Sequence, residues 1–288
     1  MMPQTKDIIK SLPIVLREQP DELLSSWLAR HARYYGVGRL RLLHHCRLSS
    51  PTLEALDQEI SFGQQIMLAG YFHREPSEIA AMSHVAVKPE FHNLIRRSHP
   101  VQWCQYCSKV AERSEGGSAI GKSWMQGWRI TCRICGNRLV DTSATFESKT
   151  HWDSFARYWE MGCEGEAIFE SCLSNPAQSG PSPMTALRLL LMPRRPFPRE
   201  LWDGYRPSRL LNVVLPGFDD LVHRLGLKAA QFHNFVHFVG LRVPLLAGVA
   251  IVMRDPVNVI SQLRDNLSFQ DRDRFASIES RATNSTGR

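Results

Sequence analysis

The sequence lacks any long apolar run. Its longest, Val243 to Met253, is broken by Pro244 and Gly248 and falls well short of the ~20 residues that a membrane-crossing helix needs. It therefore reads as a buried helix or strand. An export leader is not expected either, because Lys6, Asp7, Lys10, Arg17, Glu18, Asp21 and Glu22 interrupt the early apolar stretches. The expectation is a cytoplasmic protein with no membrane partner. No recognisable catalytic set is assembled. Asp219, Asp220, Asp271 and Asp273 could hold a magnesium ion, but they form no carboxylate triad in the setting a nuclease or transposase requires. The expected class is non-catalytic. Disorder-promoting composition is absent too: 43% of residues are hydrophobic and 22% charged, which are ordinary values for a globular chain.

What the sequence does hold is an excess of positive charge and a patterned set of cysteines. The net charge of +7 and a pI near 9.2 favour polyanionic partners, with nucleic acid ahead of membrane. Among seven cysteines, Cys104 and Cys107 form one CxxC pair and Cys132 and Cys135 another, with 24 residues between them. A CxxC turn lets two thiolates converge on one tetrahedral centre while backbone N–H groups point at the sulfurs. Two such pairs complete a closed four-cysteine shell, the usual structural zinc site. Four protein ligands leave no position for water or substrate, so one Zn2+ per chain would staple the fold and not catalyse. Two disulfides, or four unconnected thiols, are the competing readings, and the lack of a secretory signal weighs against them. Cys46, Cys163 and Cys172 remain and read as buried free thiols.

The expected fold class is mainly α: a helical N-terminal region with an embedded four-cysteine zinc ribbon or knuckle, then a helical C-terminal domain. The length of 288 residues suits two units. The N-terminal region spans 1–100, the zinc module 101–142, an aromatic-rich helical segment 143–175 and the C-terminal domain 176–288. Within the first, Leu12 to Leu16 suit an extended arm. Asp21 looks like an N-cap for a helix whose apolar face is Leu24, Trp27, Leu28, His31 and Tyr35, with Gly36 at its exit. Glu22, Ser25, Ser26, Arg30 and Arg33 fall on the other side, expected to be solvated. Ser50 and Pro51 open a helix through Leu53, Leu56 and Ile60; another runs from about Phe62 to Phe72, and Pro76 starts a short one with Ile79, Ala80 and Met82. The last two could form a helix-turn-helix, although Glu78 suits phosphates poorly and packing is the better reading.

Between the knuckles, Gly116 to Ser123 reads GGSAIGKS and satisfies the phosphate-loop pattern GxxxxGK[ST]. The mechanism also needs a buried strand before the loop and a helix after it, and neither is expected here. Arg113, Lys122, Arg129 and Arg133 could contact phosphates or simply be solvated. Beyond the module, Trp152, Phe155, Tyr158 and Trp159 have helical spacing suited to a core. Residues 174–183, rich in Pro and Ser, read as a linker.

The C-terminal domain enters through a basic, proline-stiffened stretch. Arg194, Arg195, Arg199, Arg206 and Arg209, with Arg188 before them, could be held toward a DNA backbone. Phe218 to Leu225 and Lys228 to Val239 look like two helices joined at Gly226. As a helix-turn-helix, the second would display Lys228, Gln231, His233, Asn234 and His237, of which Gln and Asn are adenine-reading side chains; a plain helical hairpin fits equally. The tail from about Ser277 lacks apolar period and is expected to be disordered.

Two stretches together resemble the TniQ family of transposition proteins, which includes the TnsD target selectors. They are PDELLSSWLARHARYYG, Pro20 to Gly36, and WCQYCS followed by a tryptophan and CRICGNRLVD. They fall within roughly the first 140 residues. Cys135 stands where the family commonly has His, and zinc accepts either. Asp141, Thr142, Ser143 and Ala144 stand where many members carry a further Cys pair, which puts a second zinc in doubt. The resemblance implies a non-catalytic adaptor that binds target DNA or docks on an RNA-guided targeting complex, and passes that location to an AAA+ ATPase and transposase. A homodimer is compatible with it. A zinc-containing transcriptional regulator, or a zinc-stapled interaction module that touches no DNA, would use the same parts.

Overall fold

Leu12 and Leu16 bring the chain onto its first helix before that helix begins. The computed structural model describes residues 11–97, 100, 102–112, 117–141, 154–175, 181–195, 208–224, 239–267 and 269–284. These are mostly helical and fall into two compact units, each built from separated segments. One comprises Met1–Val87, Arg96–Met125 and Cys132–Asn137, the other Lys88–Ile95, Gln126–Thr131 and Arg138–Arg288.

In the first unit, α1 (Leu24–Tyr34) buries Leu24, Trp27, Leu28 and His31, as their spacing predicts. The N-terminal arm lies along it. Leu16 N–H donates to His31 Nε2 (2.9 Å) and Trp27 Nε1 to the Leu16 carbonyl (2.9 Å). The opposite face is mostly not solvated: Glu22, Ser25, Ser26 and Arg30 are buried, and Arg33 alone of the five is exposed as expected. Asp21 is not the N-cap. It sits at φ 57°, in the left-handed region, and the helix opens after Leu23. The opening amides find distant acceptors: Leu24 N–H on the Met82 carbonyl (3.0 Å) and Ser25 N–H on Asp57 Oδ1 (2.8 Å). Gly36, at φ 64°, ends the helix where expected.

Then follow α2 (Arg39–His45), α3 (Leu53–Glu59), α4 (Phe62–Phe72), α5 (Pro76–Ala81) and α6 (Gln105–Ala111). Thr52, not Ser50, caps α3 by accepting from Ala55 N–H. Ser61 and Gln64 form a reciprocal capping box on α4, which fixes its start. The apolar sides of α1 to α5 close on one core that includes Trp27, Leu43, Leu56, Leu68, Phe72 and Ile79.

The second unit is laid out around α11 (Val239–Arg254), so the longest apolar run is a buried helix. Against it pack α7 (Trp159–Ser174) and α8 (Pro183–Leu190). Two glycines explain how closely. A Cβ on Gly165 would lie 2.1 Å from the Leu246 carbonyl oxygen, and one on Gly248 would lie 3.1 Å from Leu190 Cδ1 of α8 and 2.5 Å from Leu211 Cδ1. Both α7 and α8, on either side of the Pro- and Ser-rich stretch, belong to this unit. Short α9 (Leu211–Val214) and α10 (Phe218–Arg224), then α12 (Pro256–Asp265) and α13 (Arg272–Asn284), complete it. The tail is thus helical to Asn284, with Phe275 buried and Ile278 half-buried on one face. Phe155 and Tyr158 are buried as expected, while Trp152 lies outside the described residues. Helix α10 is the first member of the expected helix-turn-helix, and most of the second lies outside the described residues. No single helix among them is long and apolar enough to cross a membrane.

Candidate metal centre

Four sulfurs from two turns meet in the first unit. Cys104 precedes α6 and Cys107 lies in its first turn, while Cys132 and Cys135 flank a tight turn closed by Cys132 N–H on the Asn137 carbonyl (2.7 Å) and Gly136 N–H on the Cys132 carbonyl (2.8 Å). Gly136 holds φ 71° there, a conformation glycine adopts without strain. All four Sγ atoms lie within 4.8 Å of one another. Cys104 and Cys135 are 3.4 Å apart, Cys107 and Cys132 3.7 Å. Tetrahedral metal–sulfur bonds of about 2.3 Å put sulfurs roughly 3.8 Å apart, whereas a disulfide needs ~2.05 Å. The geometry excludes the disulfide reading and fits a metal ion. The other cysteines are free as well, Cys46 and Cys172 buried and Cys163 half-buried.

The knuckles arrange donors as the motif predicts. Tyr106 and Cys107 N–H groups reach the Cys104 sulfur, and Asn137 serves Cys135 through its backbone and through Nδ2 at 3.3 Å. Burial pushes the Cys104 and Cys107 thiols up. At Cys135 burial acts the same way, but the Asn137 donors and the neighbouring Cys104 and Cys107 thiols outweigh it and bring the thiol down to about 7. A cluster that already favours one thiolate near neutral pH is ready to exchange its remaining protons for a cation.

The segment before the second knuckle is tied to the start of α1. Leu23 N–H donates to the Ile120 carbonyl (2.9 Å), and Ile120 N–H to Ser26 Oγ (2.8 Å). Asp21 accepts at its carbonyl from Lys122 N–H (2.6 Å), at Oδ2 from Ser123 N–H (2.9 Å), and has Arg133 3.8 Å from Oδ1. This is the work Asp21 does in place of capping, and no local pattern in the sequence announces it. It also accounts for GGSAIGKS. The amides of Ile120, Lys122 and Ser123, which would have to face a phosphate, are held by Ser26 and Asp21, and the Lys122 ammonium donates to the Ala81 carbonyl (2.5 Å). Only a single 3-10 turn, Lys122–Met125, follows.

Of the arginines named for phosphates here, Arg129 is buried in the second unit, where it pairs with Glu166 (3.1 Å) and Glu170 (2.7 Å). Arg133 is exposed, and Arg113 lies outside the described residues. In the basic entry, Arg194 turns inward, 4% exposed, its Nε donating to Ser208 Oγ (2.9 Å). Arg195 is exposed, and Arg209 is half-buried with Nη1 donating to the Leu191 carbonyl (3.1 Å). Backbone bridges from Pro193 to Arg209 and from Arg194 to Leu267 hold the described ends of this stretch. Arg199, Arg206, Lys228, Gln231 and Asn234 lie outside the described residues. No family model, curated protein or solved structure matches the chain.

Proposed function

We propose that the protein is a zinc-stapled, non-catalytic adaptor of DNA transposition, which contacts target DNA or a targeting complex and recruits an AAA+ ATPase and transposase. One observation carries the reading: the two stretches that resemble the TniQ family have a common structural task. The opening helix is tied through Asp21 and Ser26 to Ile120, Lys122 and Ser123, with Arg133 of the second knuckle beside Asp21, which supports reading the two motifs together. Zinc is the metal because four thiolates with tetrahedral spacing suit a soft, redox-inert ion. Exposed Arg195, with the net positive charge of the chain, supports contact with a phosphate backbone.

A second reading, a zinc-stapled interaction module without DNA contact, is favoured by apolar side chains on the module itself. Tyr106 and Val110, one turn apart on α6, are 65% and 68% exposed, and Ile134 on the second knuckle is 45% exposed. The test is binding of purified, metal-quantified protein to random duplex and to DNA flanking its own gene across a salt series. The adaptor reading expects one zinc per chain and a log affinity that falls linearly with log salt. One zinc with no DNA binding at low salt would overturn the DNA contact and leave the interaction module.

A further inference from the structure

Three arginines from distant parts of the second unit line one cleft of about 430 Å³: Arg188 from α8, Arg209 from the basic entry and Arg274 from α13. Asn93 adds a neutral amide, and Leu191 and Ile278 supply apolar wall. No carboxylate lines the cleft among the described residues. Asp219, outside the lining, accepts from the Ser208 hydroxyl and the Arg209 N–H and also acts by charge on Arg194 and Arg209, so Arg188 and Arg274 carry the cleft's excess of positive charge. Arg209 is fixed in direction by its bond to the Leu191 carbonyl, yet its Nε is buried with no hydrogen-bond partner among the described residues. Like charges gathered in a concavity raise the potential there and attract an oxyanion.

We infer that Arg188, Arg209 and Arg274 form a phosphate-binding cleft. A planar guanidinium presents paired N–H donors that match phosphate oxygens, and three of them from different elements can surround one phosphoryl group. The cleft stands independently of the transposition reading. The same chemistry is offered by a DNA backbone phosphate and by a free phosphorylated molecule. Sequence inspection singles out Arg188 and Arg209 with Arg194 and Arg195, but Arg194 is buried elsewhere, and Arg274 lies far along the chain, just before the tail from about Ser277 that is expected to be disordered.

Inorganic pyrophosphate titrated into the full chain by calorimetry tests it. Arg274→Gln and Arg188→Gln should each weaken binding roughly tenfold, the loss expected for a charge-assisted contact. Arg272→Gln, an equal charge change on the same helix at an exposed side chain that lies over Phe269, should leave it unchanged. Absence of pyrophosphate binding in the unmutated protein, or equal weakening by all three substitutions, overturns the cleft. If a short DNA duplex displaces pyrophosphate, the phosphate is the nucleic-acid backbone. If it does not, the cleft stands with a free phosphorylated ligand, and only the DNA reading fails.

Discussion

Buried charge is settled residue by residue in this protein. Glu22 and Arg30 pair at 2.7 Å with side chains 0% and 3% exposed. Burial raises the Glu22 carboxyl against bonds from the Gln19 amide, Arg30 and Ser26. Arg242, fully buried, donates to the Arg129 carbonyl (2.5 Å), and burial draws its guanidinium down to about 10 despite Asp141 and Glu166. Such pairs add little net stability, but removing one partner costs about 3–5 kcal/mol. His31 gives a measurable case. It accepts from Leu16 N–H at Nε2 and faces the Trp27 carbonyl at Nδ1 (2.9 Å), and burial lowers its pKa from 6.5 to about 4. The unfolded chain therefore takes up this proton below 6.5 while the folded one resists to about 4, so stability is lost as pH falls through that window, by about 3 kcal/mol. Asp57, raised by burial to about 7, works in the opposite direction. The difference in urea unfolding between the native protein and His31→Gln isolates the histidine. It should shrink by about 3 kcal/mol from pH 7 to pH 4, and a constant difference would contradict the assignment. His31 was legible as a core position because helical spacing announces it. The burial of Glu22 and Arg30 was not, because their partners are each other.

Among the helices, α7 and α11 depend most on a missing atom. Alanine at Gly165 would improve helix propensity by about 1 kcal/mol, yet its Cβ would fall 2.1 Å from the Leu246 carbonyl oxygen, which is backbone and cannot swing away. Gly165→Ala should therefore destabilise by about 3 kcal/mol or more, read as a lower denaturant midpoint at unchanged slope. Elements with local signals were readable in advance. The bounds of α4 follow from Ser61, Gln64 and the apolar spacing up to Phe72, and the cysteine knuckles follow from CxxC, whose geometry is contained in four residues. Elements defined by distant partners were not. The α1 start relies on Asp57 and Met82, and α13 has few apolar residues beyond Phe275 and Ile278 to mark its buried side.

At the scale of the whole molecule, each unit is interleaved in sequence with the other. The second unit draws Lys88–Ile95 and Gln126–Thr131 from within the first half of the chain. These short pieces are not decoration. Glu166 on α7 accepts from Ile130 N–H (3.0 Å), Thr131 N–H (3.0 Å) and Thr131 Oγ1 (2.7 Å), and Phe91 packs edge-on against both Trp128 and Phe169. A fragment of residues 138–288 would leave Glu166 and Arg242 buried without those partners. It should melt without a cooperative transition by circular dichroism, whereas residues 88–288 should retain one. Equal melting of the two fragments would contradict this. A linear reading of composition places boundaries at linkers and could not find this arrangement, because no residue type marks a segment as belonging to a distant core. The interleaving also sets an order of events during synthesis. Phe91 and Trp128 leave the ribosome well before α11 exists, so their aromatic surfaces wait without the rest of their core on the nascent chain. The protein should therefore fold late and call on chaperones while it is being made.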